Sequence, residues 1–407
     1  MFVYILLLSL SIIGWYCIEN DYIHNKFMLK YSKKRLEDYY LKIMFGLMFI
    51  LSAFRSYSVG TDTKNYLSHY YDVCSNGLEA IQRINFETGY EILMYVTSFL
   101  NNPRVLFCIL SAIICFGYYR LIKKYSTNVF FSTFLFISLY FYALTFNIVR
   151  QFIAIIFIIE FVMELNKGEW RKSIVWLFIA SLFHKTALIM VIFYPFMCLK
   201  KLVKNPKEFE RILIILLGIS VFAIDLGLKM ISIIIPKYQY YLDDDKHISE
   251  MISNEFLFSF SIVLILIVLI IDYFIKSRNR YYEIAKLVFI FGILYFNLFF
   301  VIENNRLIGL LCTTILLYDN VINKKEEKNI FYYLNLLTIY TIFLQAKVFI
   351  LSRLIWYFFI FIIFYVPSRV ENKKIITSGV CAFCILYYIK LLLQNIAEIV
   401  PYSFGFF

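Results

Sequence analysis

Apolar runs of about twenty residues recur along the whole length of this 407-residue chain. Each is long enough to cross a hydrocarbon layer about 30 Å thick as a helix. Inside such a layer every backbone N–H and C=O must be paired within the protein, and a segment of this length does that as a helix. With 61% hydrophobic residues and a mean hydropathy of +0.74, the expected fold is all-α. It is a polytopic helical membrane protein with about 11–13 transmembrane or re-entrant helices.

The net charge of +12 raises the question of a nucleic-acid partner. Most Lys and Arg sit in short segments between apolar runs, on alternate sides, as the positive-inside rule demands. A nucleic-acid reader would need a basic soluble domain, and no polar stretch is long enough to form one. The expected surroundings are therefore membrane lipids, with no nucleic acid. The 44 Phe and 34 Tyr read as packing and interfacial belts. The eight Cys are scattered, mostly within spans, which argues against a disulfide framework. Cys381 and Cys384 read as two small buried residues. His24, His69, His184 and His247 lack ligand spacing, and no Gly-rich phosphate loop or H-E-x-x-H motif occurs. No metal and no cofactor is expected.

Charge and length together give a path through the membrane. Residues 1–18 lack a basic n-region and a small-residue cleavage site, so they read as a retained first span. The basic loop at Lys26, Lys30, Lys33, Lys34 and Arg35 belongs inside, which puts the N-terminus outside. Residues 39–54 cross outward, and 55–88 form a polar outer segment. Residues 89–101 are apolar but too short to span, and read as interfacial or re-entrant. Residues 105–122 then run inward, placing Arg120, Lys123 and Lys124 inside. Residues 128–146 and 148–165 form a helical hairpin. Asn147, Arg150 and Gln151 sit at its outer end, on one helix face by their spacing of three and four.

Residues 173–199 are the anomaly. Both flanks are basic (Arg171 and Lys172; Lys200, Lys201, Lys204 and Lys207), so both ends belong inside. Yet about 27 residues suffice for one span and not for two. Two half-helices bent near His184 satisfy both constraints. Spans follow at 212–235, 256–275, 287–302, 307–322, 330–345, 348–366 and 375–393. The loop 236–255 carries Asp243, Asp244 and Asp245 and reads as a solvated acidic surface. No repeat, low-complexity tract or linker divides the chain. Residues 1–407 are expected to form a single integral membrane domain with outer loops 55–88 and 236–255.

This path leaves Arg55, Asp62, Arg150, Arg306 and Arg353 at or near outer ends of spans, where positive charge is disfavoured. An anionic ligand would account for them. Arg stays charged and presents a fork that matches phosphate oxygens, and several converging would suit a diphosphate. Asp62 could accept a proton, and His184 is a residue type able to act as acid or base. An ionisable group within a span is functional by default. Plainer readings exist for each. A single Arg at a helix end snorkels. Asp62, in G-T-D-T, could cap a helix that begins near Thr63. His184 could be a hydrogen-bonded core residue. Glu160 and Asp225 read equally as proton-relay acids or as buried pairing partners.

Together these residues resemble a known family. Arg55-x4-Gly60-Thr61-Asp62-x3-Tyr66 is similar to the R-x4-G-x-D-x3-Y signature of the EpsG family of polysaccharide-synthesis membrane proteins. Asn147-x2-Arg150-Gln151 resembles its N-x-x-R-Q helix start. Phe183-His184-Lys185-Thr186-Ala187 resembles its F-H-x-[ST]-A turn, with Lys185 at a variable position. Arg306 resembles a later arginine of the family, whereas Arg353 rests on topology alone. The resemblance covers roughly residues 40 to 330.

The resemblance implies a Wzy-type glycosyltransferase, related to C-type membrane glycosyltransferases. Such a protein joins oligosaccharide repeat units carried on undecaprenyl diphosphate into exopolysaccharide, capsule or O-antigen. It works at the outer face of the bacterial cytoplasmic membrane, with a chain-length regulator or other synthesis proteins as candidate partners. In that role Arg150, Arg306 and Arg55 hold the donor diphosphate. Tyr66, Asn147, Gln151 and Arg353 are further substrate-binding candidates. Asp62, His184 and Arg150 form the catalytic set, with Asp62 preferred as base and His184 as an orienting or diphosphate-contacting group. Three rivals make different demands. A flippase would line its charges through both leaflets. An acyltransferase would use His184 as base and leave polymer length intact. A structural subunit would use its arginines on lipid headgroups.

Overall fold

The computed structural model describes residues 1–19, 32–84, 86–203, 205–206, 208–220, 290, 292–293, 303–321, 328–344, 353–370 and 373–405. The loop 236–255, Asp225 and the span expected at 256–275 lie outside them. The protein is an all-α helical membrane protein. Among the described residues, strand-type pairing is limited to one isolated bridge, Arg55 with Phe404.

In chain order the first helices are α1 (Phe2–Glu19), α2 (Lys33–Ala53), α3 (Thr63–Ile84), α4 (Thr88–Ser98), α5 (Pro103–Tyr125), α6 (Val129–Ser138) and α7 (Phe141–Leu144). They continue as α8 (Val149–Asn166), α9 (Trp170–Phe183), a 3-10 stretch (Lys185–Ile192) and α10 (Phe193–Leu202). Then come α11 (Glu303–Val321), α12 (Ile330–Leu344), α13 (Ile355–Phe359), α14 (Ile362–Val370) and α15 (Lys374–Leu393), before a final 3-10 turn (Ile396–Glu398). Among the described residues α1, α5 and α15 are long and apolar enough to cross a bilayer. The chain divides into two compact units, Met1–Phe193 with Ile363–Phe407, and Tyr194–Ile362.

In the first unit α5 shows how local sequence sets an element. The Asn102 side chain accepts the Arg104 N–H at 2.9 Å and Pro103 opens the helix, a cap and a ring that suit a first turn. Lys123 and Lys124 close it, where cations complement the helix dipole. The helix packs against α2 on one side and α8 on the other. Lipid supplies no hydrophobic drive between helices, so close packing and hydrogen bonds must hold them. Gly117 provides such an approach: a Cβ there would lie 2.5 Å from Ile156 Cδ1 on α8. Tyr118 adds a hydrogen bond to the Phe152 carbonyl at 3.2 Å.

The two ends of this bundle differ in character. At one end Asp38 pairs with Lys42 at 2.8 Å and with Lys123, and Tyr119 donates to it at 2.8 Å. Glu160 takes Lys124 at 2.8 Å, Arg120 at 3.3 Å and the Tyr125 hydroxyl at 2.6 Å. Glu160 is thus a buried pairing partner. Arg120, Lys123 and Lys124, expected inside from the sequence, are gathered here. About 35 Å away, the length of a 23-residue helix, lie Arg55, Arg104, Asn147 and Arg150.

Three elements depart from expectation. The helix expected over 128–146 stops at Ser138, because Tyr140 takes a left-handed φ of 71°. Tyr140 is held by its own hydroxyl, which donates to the Ile396 carbonyl at 2.7 Å. Asn147 does not share a helix face with Arg150 and Gln151. The helix begins only at Val149, and the Val149 N–H turns back to the Asn147 carbonyl at 2.8 Å. The E-N-N-R stretch expected as a turn forms the first turn of α11.

The second unit is built on the α11–α12 pair. Asn335 Nδ2 donates to the Cys312 carbonyl at 3.0 Å and Asn320 Nδ2 to the Tyr332 hydroxyl at 2.9 Å.

Candidate functional site

Arg150 stands in the first turn of α8. From there the chain runs down to Gly168, whose φ of 85° is the left-handed C-terminal residue that ends many helices. It then returns along α9, with Phe157 stacked on Trp176 and Phe183. The two legs have nearly equal length, so His184, just past α9, comes level with Arg150. There the helix breaks: His184 is extended (φ −157°, ψ 112°) and a tighter 3-10 stretch follows.

One carboxylate joins the two. Glu87 precedes α4, and its carbonyl accepts the Tyr90 and Glu91 N–H groups at 2.9 and 3.0 Å. Its side chain does not cap its own helix. Instead Oε2 pairs with Arg150 Nη1, while Oε1 takes His184 Nδ1 at 3.0 Å and the Lys185 N–H at 3.3 Å. Glu87 is only 7% exposed. Gly89 permits the approach: a Cβ there would lie 2.8 Å from the Leu182 carbonyl oxygen on α9. An ionised carboxylate can only accept. His184 must therefore donate from Nδ1, which leaves Nε2 as the acceptor nitrogen of the neutral ring.

Aromatic rings enclose the pair. The Arg150 guanidinium lies 4.2 Å above the Phe86 ring and 5.8 Å from the Tyr90 ring. Tyr66 hydrogen-bonds with Arg150 and donates its hydroxyl proton to the Asn147 carbonyl at 2.9 Å. Arg150 Nε is buried with no hydrogen-bond partner, yet 22% of the side chain remains exposed. The guanidinium therefore keeps donor capacity while already paired.

Asp62 lies beside this cluster, half-buried, immediately before α3. Its carbonyl accepts the Tyr66 N–H at 3.0 Å, so the helix does begin at Thr63. The preceding Gly60 has a φ of 99°, and a Cβ there would lie 2.7 Å from Asn147 Oδ1. The G-T-D turn and the Asn147 turn are thus packed backbone to side chain.

The other arginines have different surroundings. Arg55 is 3% exposed; it donates to the Ser52 and Phe146 carbonyls at 2.6 and 3.2 Å and lies between the Phe107 and Phe146 rings. Those contacts hold the end of α2 to the turn before α8. Arg104, not singled out by sequence, donates to the Ala53 and Arg55 carbonyls at 3.0 and 2.7 Å. Gln151 is buried at 2% exposure. Arg306 is half-buried in the first turn of α11 and Arg353 is exposed just before α13; both belong to the second unit.

A family model matches residues 38–317, described as the EpsG family. The chain belongs to the EpsG family. No curated protein and no solved structure matches it. The matched region contains every member of the cluster: Asp62, Tyr66, Glu87, Asn147, Arg150 and His184.

Glu87 was missed in the sequence of this EpsG-family chain. It ends a polar segment with other acids and has no local mark. The available signal was a requirement: Arg150 in a span needs an anion, and an acid at the edge of the short 89–101 segment could supply it. Burial works against ionising Glu87. The His184 hydrogen bond and the charges of Arg150 and His184 outweigh it and hold the carboxyl at about 2, below its ordinary 4.5. A depressed carboxyl contributes stability that is complete above 4.5 and is lost as pH falls toward 2. The melting temperature of detergent-solubilised protein should therefore drop as pH is lowered from about 5 to about 2. Glu87→Gln should lower it at neutral pH and flatten that drop; an unchanged acid profile would remove Glu87 as its source.

Proposed function

We propose that this protein is a polysaccharide polymerase. In this reading it joins undecaprenyl-diphosphate-linked oligosaccharide repeat units at the outer face of the bacterial cytoplasmic membrane, as a multi-pass protein. The product is an exopolysaccharide, capsule or O-antigen. Membership of the EpsG family supports the class. The observation that carries the reading is the Arg150–Glu87–His184 cluster, at the opposite end of the bundle from the basic residues that the charge rule places inside.

The donor diphosphate binds against Arg150, which still has donors to offer. An acceptor sugar hydroxyl attacks the anomeric carbon. His184 Nε2 takes the hydroxyl proton, with Glu87 holding the ring through Nδ1, the arrangement that orients a histidine base in hydrolytic triads. The new glycosidic C–O bond forms as the anomeric C–O bond to the diphosphate breaks. The departing electron pair stays on the diphosphate, where Arg150 meets the developing charge. Asp62, one helical turn before Tyr66, orients the acceptor. Arg55 serves the scaffold rather than the phosphate.

The test is polymerisation in membranes with a lipid-diphosphate-linked repeat unit as sole substrate. Wild type should give a ladder of products and His184→Ala only the starting unit. No ladder from folded wild type, with single units accumulating on the inner face of a deletion strain, would replace the polymerase by a flippase.

A further inference from the structure

The last residues of the chain lie beyond the matched region, which ends at residue 317, yet they are laced to its signature loop. After α15, Asn395, Ala397 and Glu398 take φ values of 47°, 70° and 49°. These are left-handed conformations that residues with a Cβ avoid and Asn tolerates best. The Asn395 side chain closes the segment on itself. Its Nδ2 donates to the Val400 carbonyl at 2.7 Å, and its Oδ1 accepts the Val400 N–H at 2.8 Å.

The closed turn presents its carbonyls outward. The Gly60 N–H donates to the Glu398 carbonyl at 2.9 Å and the Thr61 N–H to the Ala397 carbonyl at 3.3 Å. Asn147 Nδ2 donates to the same Ala397 carbonyl at 3.0 Å. Further along, the Ser56 N–H reaches the Ser403 carbonyl at 2.8 Å, and the Gly405 N–H reaches the Phe54 carbonyl at 2.9 Å. The Tyr402 hydroxyl donates to the Leu51 carbonyl at 3.0 Å. Gly60 and Thr61 have no ladder neighbour of their own, and the tail supplies their acceptors. These are the two residues before Asp62. The same tail carbonyl also holds Asn147, whose own carbonyl receives Tyr66.

We propose that residues 395–405 position Asp62 and Asn147 for the transfer reaction, and that Asn395 is the positioning residue that gives this segment its shape. This rests on the polymerase reading of the site. The diphosphate side is held directly by Glu87, which pairs with Arg150 and His184, and meets the tail only through Asn147 and Tyr66. Loosening the tail should therefore impair the chemical step more than donor binding.

Two measurements on the full chain test this. The first does not depend on activity. Thr61→Cys combined with Ala397→Cys is treated with a short bifunctional thiol reagent in membranes, and the bridged peptides are identified by mass spectrometry against each single variant. The pair should cross-link, and adding Asn395→Ala should reduce the yield at equal protein level. The second is steady-state polymerisation with the lipid-diphosphate-linked repeat unit. Asn395→Ala should lower kcat about tenfold or more while KM stays within about threefold. Asn395→Asp keeps the acceptor for the Val400 N–H and should recover part of the rate. No cross-link in the parent pair overturns the proposal, as does an unchanged kcat in Asn395→Ala, or a raised KM with kcat intact. A cross-linked pair in a wild type that makes no polymer would leave the tail contact standing, but would bring down the polymerase reading and the positioning role with it.

Discussion

Arg150→Ala should abolish polymer while the protein remains in the membrane at its normal level. Removing one preorganised donor to a developing oxyanion costs about 10²–10³ in rate, roughly 2.7–4 kcal/mol of barrier, and a diphosphate leaving group carries more charge than a single oxyanion. Two effects must be separated, because Arg150 is also the ion-pair partner of Glu87. Taking away one member of a buried pair leaves the other unpaired and lowers stability. Arg150→Lys keeps the charge but loses the planar fork and the stack on Phe86. It should hold the melting temperature near wild type and still lose most of the polymerisation rate. The measurement is ladder length and rate per unit of folded protein. Normal polymer from Arg150→Ala would remove the diphosphate from this residue.

How far the sequence speaks for itself depends on the kind of interaction. The boundary between 89–101 and 105–122 was readable from length and charge alone, and the Asn102 cap and Pro103 are what fix it in the structure. The break at His184 was readable because charge and length contradicted each other over 173–199, and only a bend reconciled them. The shared end of Arg150, Asp62 and His184 followed from the same bookkeeping. Glu87 was not readable, since nothing local separates it from Glu79 or Glu91; its role arises from two residues far away in sequence. Arg55 was readable as unusual, but its carbonyl contacts were not. An arginine at a span end looks the same whether its fork meets a phosphate or the Ser52 and Phe146 carbonyls. The tail was invisible for a simpler reason: it acts largely through backbone carbonyls, and a carbonyl leaves no side-chain signature. Asn147 was misplaced onto the helix because its spacing to Arg150 and Gln151 reads as helical, whereas the helix begins two residues later at Val149.

The larger test of mechanism is the coupling between Glu87 and His184. Glu87→Ala should cost about 3–5 kcal/mol of stability at most, since it leaves Arg150 without its anion; the partial exposure of Arg150 favours the lower figure. It should also lower kcat about 10²-fold or more, within the range of general base catalysis, because His184 loses the acceptor that fixes its Nδ1 proton and aims Nε2. His184→Ala should lose a similar factor. If the two act as one unit, the double variant should be no slower than the worse single variant, since a base that is absent cannot be misaligned. Rates per folded protein would isolate that coupling from the stability loss. Losses that multiply would mean that Glu87 acts through Arg150 alone and that His184 contributes independently. The proton would then fall to Asp62, whose placement before α3 depends on the Gly60 and Thr61 contacts with the tail. In that case the Asn395 variants should show the steeper dependence of kcat.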